Sequence, residues 1–293
     1  MSRRFIALLF LTSCRQACGL DQLEGTTGSG ASGSAGGGSG STGGAGGVSP
    51  LCADTFDGTT LVDCLVCGDG NPDSFPMQCE NGTTRIEEGN LVMIPSAFTG
   101  YWNEGGSSPA FVRQNDVTGS FVAVTAVTPH DGDNPGTWPS ANINLAGIVV
   151  RDADCVGAQT CNMWLKAEVG RTEEDAFALR VAGKDGALPA EDPEFNDFPL
   201  SPSTFGMHGI GVCGTFDGDF FSVAVRVRPP GGTWQTSMLV PTLTSTAVDV
   251  GIVAAADVTP DLRAVFPFFA VGAWNPASLD CAAALDAITP VGE

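Results

Sequence analysis

"FFSVAVRVRPPGGTWQTS" (Phe220–Ser237) holds the pattern on which the fold turns. Between Ser222 and Arg228, Val223, Val225 and Val227 point one way, and Ala224, Arg226 and Arg228 point the other. Period-two alternation sets one face on a core and one in solvent, as a β-strand does. Two prolines and two glycines then break the run. Met163–Val169 repeats the pattern. Met163, Leu165, Ala167 and Val169 face in, and Trp164, Lys166 and Glu168 face out.

Outward from these two stretches the texture persists. Gly119–Thr128, Asn144–Arg151, Phe177–Val181, Val248–Ala254 and Ala264–Val271 are rich in Val, Ile, Phe and Ala, with Gly, Pro, Asp and Asn between them. They read as strands. Helical patterning is nearly absent, and Pro276–Asp286 is the best helix candidate. Many strands with turn residues between them predict an all-β antiparallel sandwich. No run beyond the opening segment approaches the roughly 20 apolar residues of a membrane span. "VFPFFAV" (Val265–Val271) is a buried-strand pattern interrupted by Pro267.

The order of these segments resembles a known family. "NLAGIVVRD" (144–152), "WLKAEVG" (164–170), the Phe220–Ser237 stretch, "VDVGIVAAA" (248–256) and "RAVFPFFAVG" (263–272) follow one another as in concanavalin A-like jelly rolls of the lectin/glucanase and laminin-G type. "DTFDG" (54–58) resembles the family's opening strand, so the likeness covers roughly residues 54–275. The region around Cys64–Cys79 and the segment Gly183–Met207 have no counterpart and look like insertions. The resemblance implies a jelly-roll sandwich with a concave sheet on which sugars stack against aromatic side chains. It also implies that a catalytic member would carry alternating acidic residues on one strand.

The chain has 293 residues, 13 basic and 33 acidic, for a formal net charge of -20. Such a surface repels nucleic-acid phosphates and anionic lipid heads. It suits an extracellular protein, including one that binds calcium or neutral sugars. Ten cysteines are present. Eight lie beyond the glycine-rich stretch, which fits disulfides in an oxidising compartment. Cys155/Cys161 closing a short loop and Cys52/Cys281 joining the domain ends are two pairings to test.

The N-terminus explains the compartment. Arg3 and Arg4 precede an apolar run, Phe5–Leu11, of signal-peptide length. Leu11-Thr12-Ser13-Cys14 resembles a bacterial lipobox, which implies that residues 1–13 are a signal peptide and Cys14 a lipidation site; an ordinary cleaved signal on a secreted protein is the alternative. Arg15 follows where aspartate is absent, a pattern resembling that of lipoproteins sent to the outer membrane. Cleavage before Cys14 leaves 11 basic against 33 acidic residues. Gly25–Gly47 is almost all Gly, Ser, Ala and Thr and has no face to bury, so residues 14–49 read as a disordered tether. The flexible reach of Gly25–Gly47 is roughly 25–30 Å. Residues 50–293 form the folded domain.

Several motifs fail a test of context. Gly209-Ile-Gly211-Val-Cys213-Gly214 satisfies G-x-G-x-x-G, but a strand pattern follows where a dinucleotide site needs a helix. Cys64-Leu-Val-Cys67 with Cys79 lacks a fourth ligand and a nearby histidine, so disulfides explain it better than zinc. Glu173-Glu174-Asp175 sits in an expected hairpin turn and lacks the downstream glutamate of the glucanase pattern. No carboxylate pair at glycosidase spacing is visible. His130 and His208, the two histidines, read as loop residues, with no G-x-S-x-G elbow to join.

Two acidic turns offer calcium ligands. "HDGDNPG" (130–136) brings Asp131, Asp133 and Asn134 close, and "CGDGNPD" (67–73) offers Asp69, Asn71 and Asp73. The expected ligand face joins Trp164, Lys166 and Glu168 to Arg226 and Arg228 on one sheet, with Trp102 and Trp138 edging the cleft from loops. Three functions stay open: a surface lipoprotein binding polysaccharide or another extracellular ligand without catalysis, a divergent glycoside hydrolase or lyase, and a structural surface protein. Opposed carboxylates would mark the second, and a covered Trp164 the third.

Overall fold

The computed structural model describes residues 47–67, 82–97, 110–154, 163–172, 176–185, 194–239, 242–256 and 260–290. Its folded unit runs from Gly44 to Glu293. One sheet has nine strands: β1 (Val48–Asp54), β3 (Gly82–Glu87), β4 (Asn90–Pro95), β6 (Phe121–Asp131), β11 (His208–Phe216), β12 (Phe221–Arg228), β13 (Gln235–Leu239), β15 (Leu262–Phe266) and β16 (Phe269–Trp274). The other has seven: β2 (Val66–Cys67), β5 (Ala110–Val117), β7 (Asn144–Asp152), β8 (Met163–Arg171), β9 (Phe177–Asp185), β10 (Glu194–Leu200) and β14 (Val248–Ala256). All the pairings are antiparallel.

The alternating residues supply the core between the sheets. Ile210, Val212, Val223 and Val225 meet Ile148, Val150, Leu165, Ala167, Val169, Val250 and Ile252 in one cluster. Each such side chain, fully buried, contributes roughly 1.5–3 kcal/mol if of Val, Leu or Ile size. The run expected at Ala264–Val271 is two strands rather than one. Pro267 cannot donate to a ladder, so β15 and β16 pair with successive halves of β6. At the break, Thr125 Oγ1 donates to the Phe268 carbonyl at 2.5 Å.

Helix α1 (Cys281–Ile288) matches the expected helical stretch. Asp280 caps it by accepting from the Ala283 N–H. The helix lies on the outer face of the nine-stranded sheet, where Ala284 and Leu285 join Val122, Val124, Ala126, Phe268 and Ala270 in a second apolar cluster. Gly211 makes room for it: a Cβ there would sit 2.4 Å from Leu285 Cδ1.

Two expectations are corrected. Cys52 does not pair with Cys281. It bonds Cys64, twelve residues on, and Cys281 bonds Cys213 of β11. The reason is placement: Cys52 belongs to the cluster between the sheets, and Cys281 to the cluster under α1. Gly183–Met207 is no mere insertion, since it supplies β10, the edge strand of the seven-stranded sheet. Cys155/Cys161 lie outside the described residues.

Candidate functional site

The outward side chains of the seven-stranded sheet carry its charge. Strand register sets Arg151 beside Trp164 and beside Asp249, and Glu168 beside Arg180, which in turn neighbours Asp197. Arg113 of β5 stands opposite Gly251. A Cβ on Gly251 would meet the Val112 carbonyl oxygen at 2.2 Å and Arg113 Cβ at 2.6 Å, so glycine permits this approach.

Lys166, Arg113, Arg151 and Arg180 each meet a carboxylate. Lys166 Nζ lies 3.2 Å from Glu168 Oε2, both side chains wholly buried, and 5.5 Å from the Trp164 ring centroid. Arg151 and Arg113 converge on Asp249 Oδ2 at 2.9 and 3.1 Å. The Asp116 N–H donates to the other oxygen. Arg180 grips Asp197 with two parallel bonds of 2.8 Å. Burial pushes the Lys166 pKa down, and Glu168 opposes that. Burial holds the Asp249 carboxyl above its usual range, opposed by Arg151 and Arg113.

This face is the expected ligand platform, and its exposure is corrected. Trp164, Lys166 and Glu168 alternate outward from the core as the sequence indicates, yet each is 0% exposed. Outward on a sheet is not outward in the molecule. Arg226 and Arg228 do not join them. They lie on β12, in the other sheet, because β12 pairs with β11 and β13.

Trp138 is packed rather than edging an open cleft. It stacks on Phe177 with centroids 4.9 Å apart, and its indole N–H donates to the Pro202 carbonyl. His130 and His208 are strand residues, correcting the loop reading. His208 is buried against Trp138, with Nδ1 bonded to the Gly206 carbonyl. Trp102, Glu173–Asp175, Asp69, Asn71 and Asp73 lie outside the described residues.

Asp131, Asp133 and Asn134 form a turn instead of a gathered ligand set. Asp131 Oδ1 accepts from the N–H groups of both Asp133 and Asn134 at 2.9 Å, which turns the backbone. Asp133 and Asn134 themselves are exposed. Among the described residues no group of three His, Cys, Asp or Glu side chains is arranged to hold a metal. G-x-G-x-x-G falls within β11.

Solved structures bear on the architecture. The chain is similar to a xylan β-1,4-xylosidase of Bacillus halodurans, with TM-score 0.51 and 14% identity over 75% of this chain and 38% of that one. The fold is concanavalin A-like. A metal-free lectin I-B4 of Griffonia simplicifolia (TM-score 0.48, 13% identity, 75% and 97% coverage) and the catalytic domain of a Thermotoga petrophila endo-1,3-β-glucanase (0.45, 14%, 78% and 98%) also match. No family model matches the chain, and neither does any curated protein. In this concanavalin A-like sandwich the hairpin β3–β4 is an element that strand patterning did not announce. The available signal was alternation around Glu88-Gly89, both at positive φ.

Proposed function

We propose that this chain is an exported surface lipoprotein whose concanavalin A-like sandwich recognises an extracellular carbohydrate without catalysis. One observation carries the non-catalytic part. Glu168, the acidic residue of the central alternating strand, is wholly buried and paired to Lys166 at 3.2 Å. Asp249, two strands away, is clamped by two arginines. A glycosidase carboxylate must reach the scissile bond and exchange a proton with it, and neither group is free for that. The motif ending in Cys14 supports export and anchoring, and the glycine-rich tether supports display away from a membrane.

The test is binding of the protein to a polysaccharide panel, with reducing ends measured in the same samples. Retention without new reducing ends is expected. Release of reducing ends that Glu168→Gln abolishes would sink the non-catalytic reading. A structural surface role is the second reading, favoured by the burial of Trp164. It predicts no retention on any polysaccharide by a well-folded chain.

A further inference from the structure

On the seven-stranded sheet Lys166, Arg113, Arg151 and Arg180 each pair with a carboxylate, and on the other sheet Glu87 holds both Arg85 and Arg263. Arg226 and Arg228 differ. Among the described residues neither takes part in an ion pair, although the chain carries 33 acidic and 13 basic residues. Both project from β12 onto the outer face of the nine-stranded sheet, beside α1. Arg226 is half-buried, and its Nε is wholly buried without a hydrogen-bond partner. An unmet buried donor on a charged group is costly, and an anion near the guanidinium would offset that cost through its charge.

The surroundings hold the Arg228 guanidinium in place. Strand register sets Gly211 opposite Arg226 and Gly209 opposite Arg228. With no side chain at 209, Arg228 and Trp234 settle onto the sheet; a Cβ there would lie 3.1 Å from Arg228 Cβ and 3.2 Å from Trp234 Cη2. Arg228 Cζ is 5.0 Å from the Trp234 ring centroid. Trp234 is fixed by its Nε1–H, which donates to Asp286 Oδ1 at 2.7 Å. Stacking engages the flat face of a guanidinium and leaves its N–H fork free. Two forks two residues apart along a strand start from Cα atoms about 7 Å apart.

We propose that Arg226 and Arg228, the latter braced by Trp234, form a binding site for an oxyanion-bearing glycan, one with uronate carboxylates or sulfate esters. Planar forks match carboxylate and sulfate oxygens with charge-assisted hydrogen bonds. Asp286 lies against the Nε1 edge of Trp234. The site rests on the carbohydrate reading above and gives it a ligand class.

The experiment measures binding of the full-length chain to polygalacturonate, dextran sulfate, neutral laminarin and poly-glutamate, for wild type and Arg226→Gln/Arg228→Gln. Wild type is expected to bind at least one acidic glycan, and which one separates carboxylate from sulfate. The double variant is expected to lose about tenfold or more in affinity, the scale of one charge-assisted bond. Competition by free glucuronate or sulfate on wild type tests the same contacts without substitution. Binding of laminarin alone would overturn the acidic site and leave the carbohydrate reading standing. Equal binding of acidic glycans by wild type and variant would also overturn the site. Arginine-dependent binding of poly-glutamate alone would assign it to an acidic protein instead. Retention on none of the probes would overturn both proposals.

Discussion

The outer faces of the two sheets began from the same sequence pattern and ended differently. On β8, Trp164, Lys166 and Glu168 alternate with core residues, as Arg226 and Arg228 do on β12. The β8 row is wholly buried, and each charge described there meets an opposite one. The β12 row stays partly exposed, and Arg228 rests against an indole. Alternation sorts side chains between two faces of a sheet. It says nothing of what later covers each face.

The largest expected effect comes from breaking the buried row. Lys166→Met leaves Glu168 buried without its cation and is expected to cost about 3–5 kcal/mol in urea unfolding. Lys166→Met with Glu168→Leu, which removes both charges, is expected to recover most of that loss. If the single variant is neutral, the pair is not a buried one. Trp164→Ala belongs to the same class and is expected to cost about 3–5 kcal/mol as a core truncation. A loss of ligand binding with an unchanged unfolding midpoint would instead put Trp164 at a ligand surface.

The covered face of the other sheet offers a mid-sized test. Cys213 and Cys281 close a loop with a sequence separation of 68. Replacing both by alanine is expected to cost roughly 2–4 kcal/mol. Exchange protection in α1 is expected to fall before that in β7 and β8. Uniform loss across both sheets would contradict a helix strapped locally to one of them.

A smaller effect concerns acid. Burial lowers the pKa of His208 below its ordinary 6.5, and a hydrogen bond to the Gly206 carbonyl opposes this in part. In that window the unfolded chain binds more protons, so stability rises with pH and is lost as pH falls below 6.5. Asp249 acts in the opposite sense, since its folded carboxyl is held above 3.8 and protonation relieves its burial. The expected result is that His208→Phe flattens the decline in unfolding midpoint between pH 7 and pH 5. An unchanged slope would mean that His208 is already charged in the fold. The smallest effect is expected at Glu87, which is partly exposed with Arg85 and Arg263. Glu87→Gln should leave the urea midpoint where it was, as surface pairs contribute little.

Much of the fold was legible because strand signals are local. Val223, Val225 and Val227 announce their face within seven residues, and the helix at Cys281–Ile288 stands out against strands. The edge strand β10 was not legible: Glu194–Leu200 pairs along one side only and carries Pro199. For the candidate site, the sequence alone indicated which residues alternate outward on β8 and β12. Asp249, Arg151 and Arg113 went unnoticed because their meeting joins strands 38 to 136 residues apart. A single charged residue in a hydrophobic strand was the available signal, as in "VDVGIVAAA".

By itself, then, the sequence determined the class of fold, the period of its central strands and which residues share a face, because each is a property of neighbours along the chain. Tertiary structure decided the rest. It put β12 in one sheet and β8 in the other, joined Cys52 to Cys64 and Cys213 to Cys281, and buried Trp164 while leaving Arg226 without an ion-pair partner. Those outcomes depend on which distant segments pack together, and a two-residue period carries no record of them.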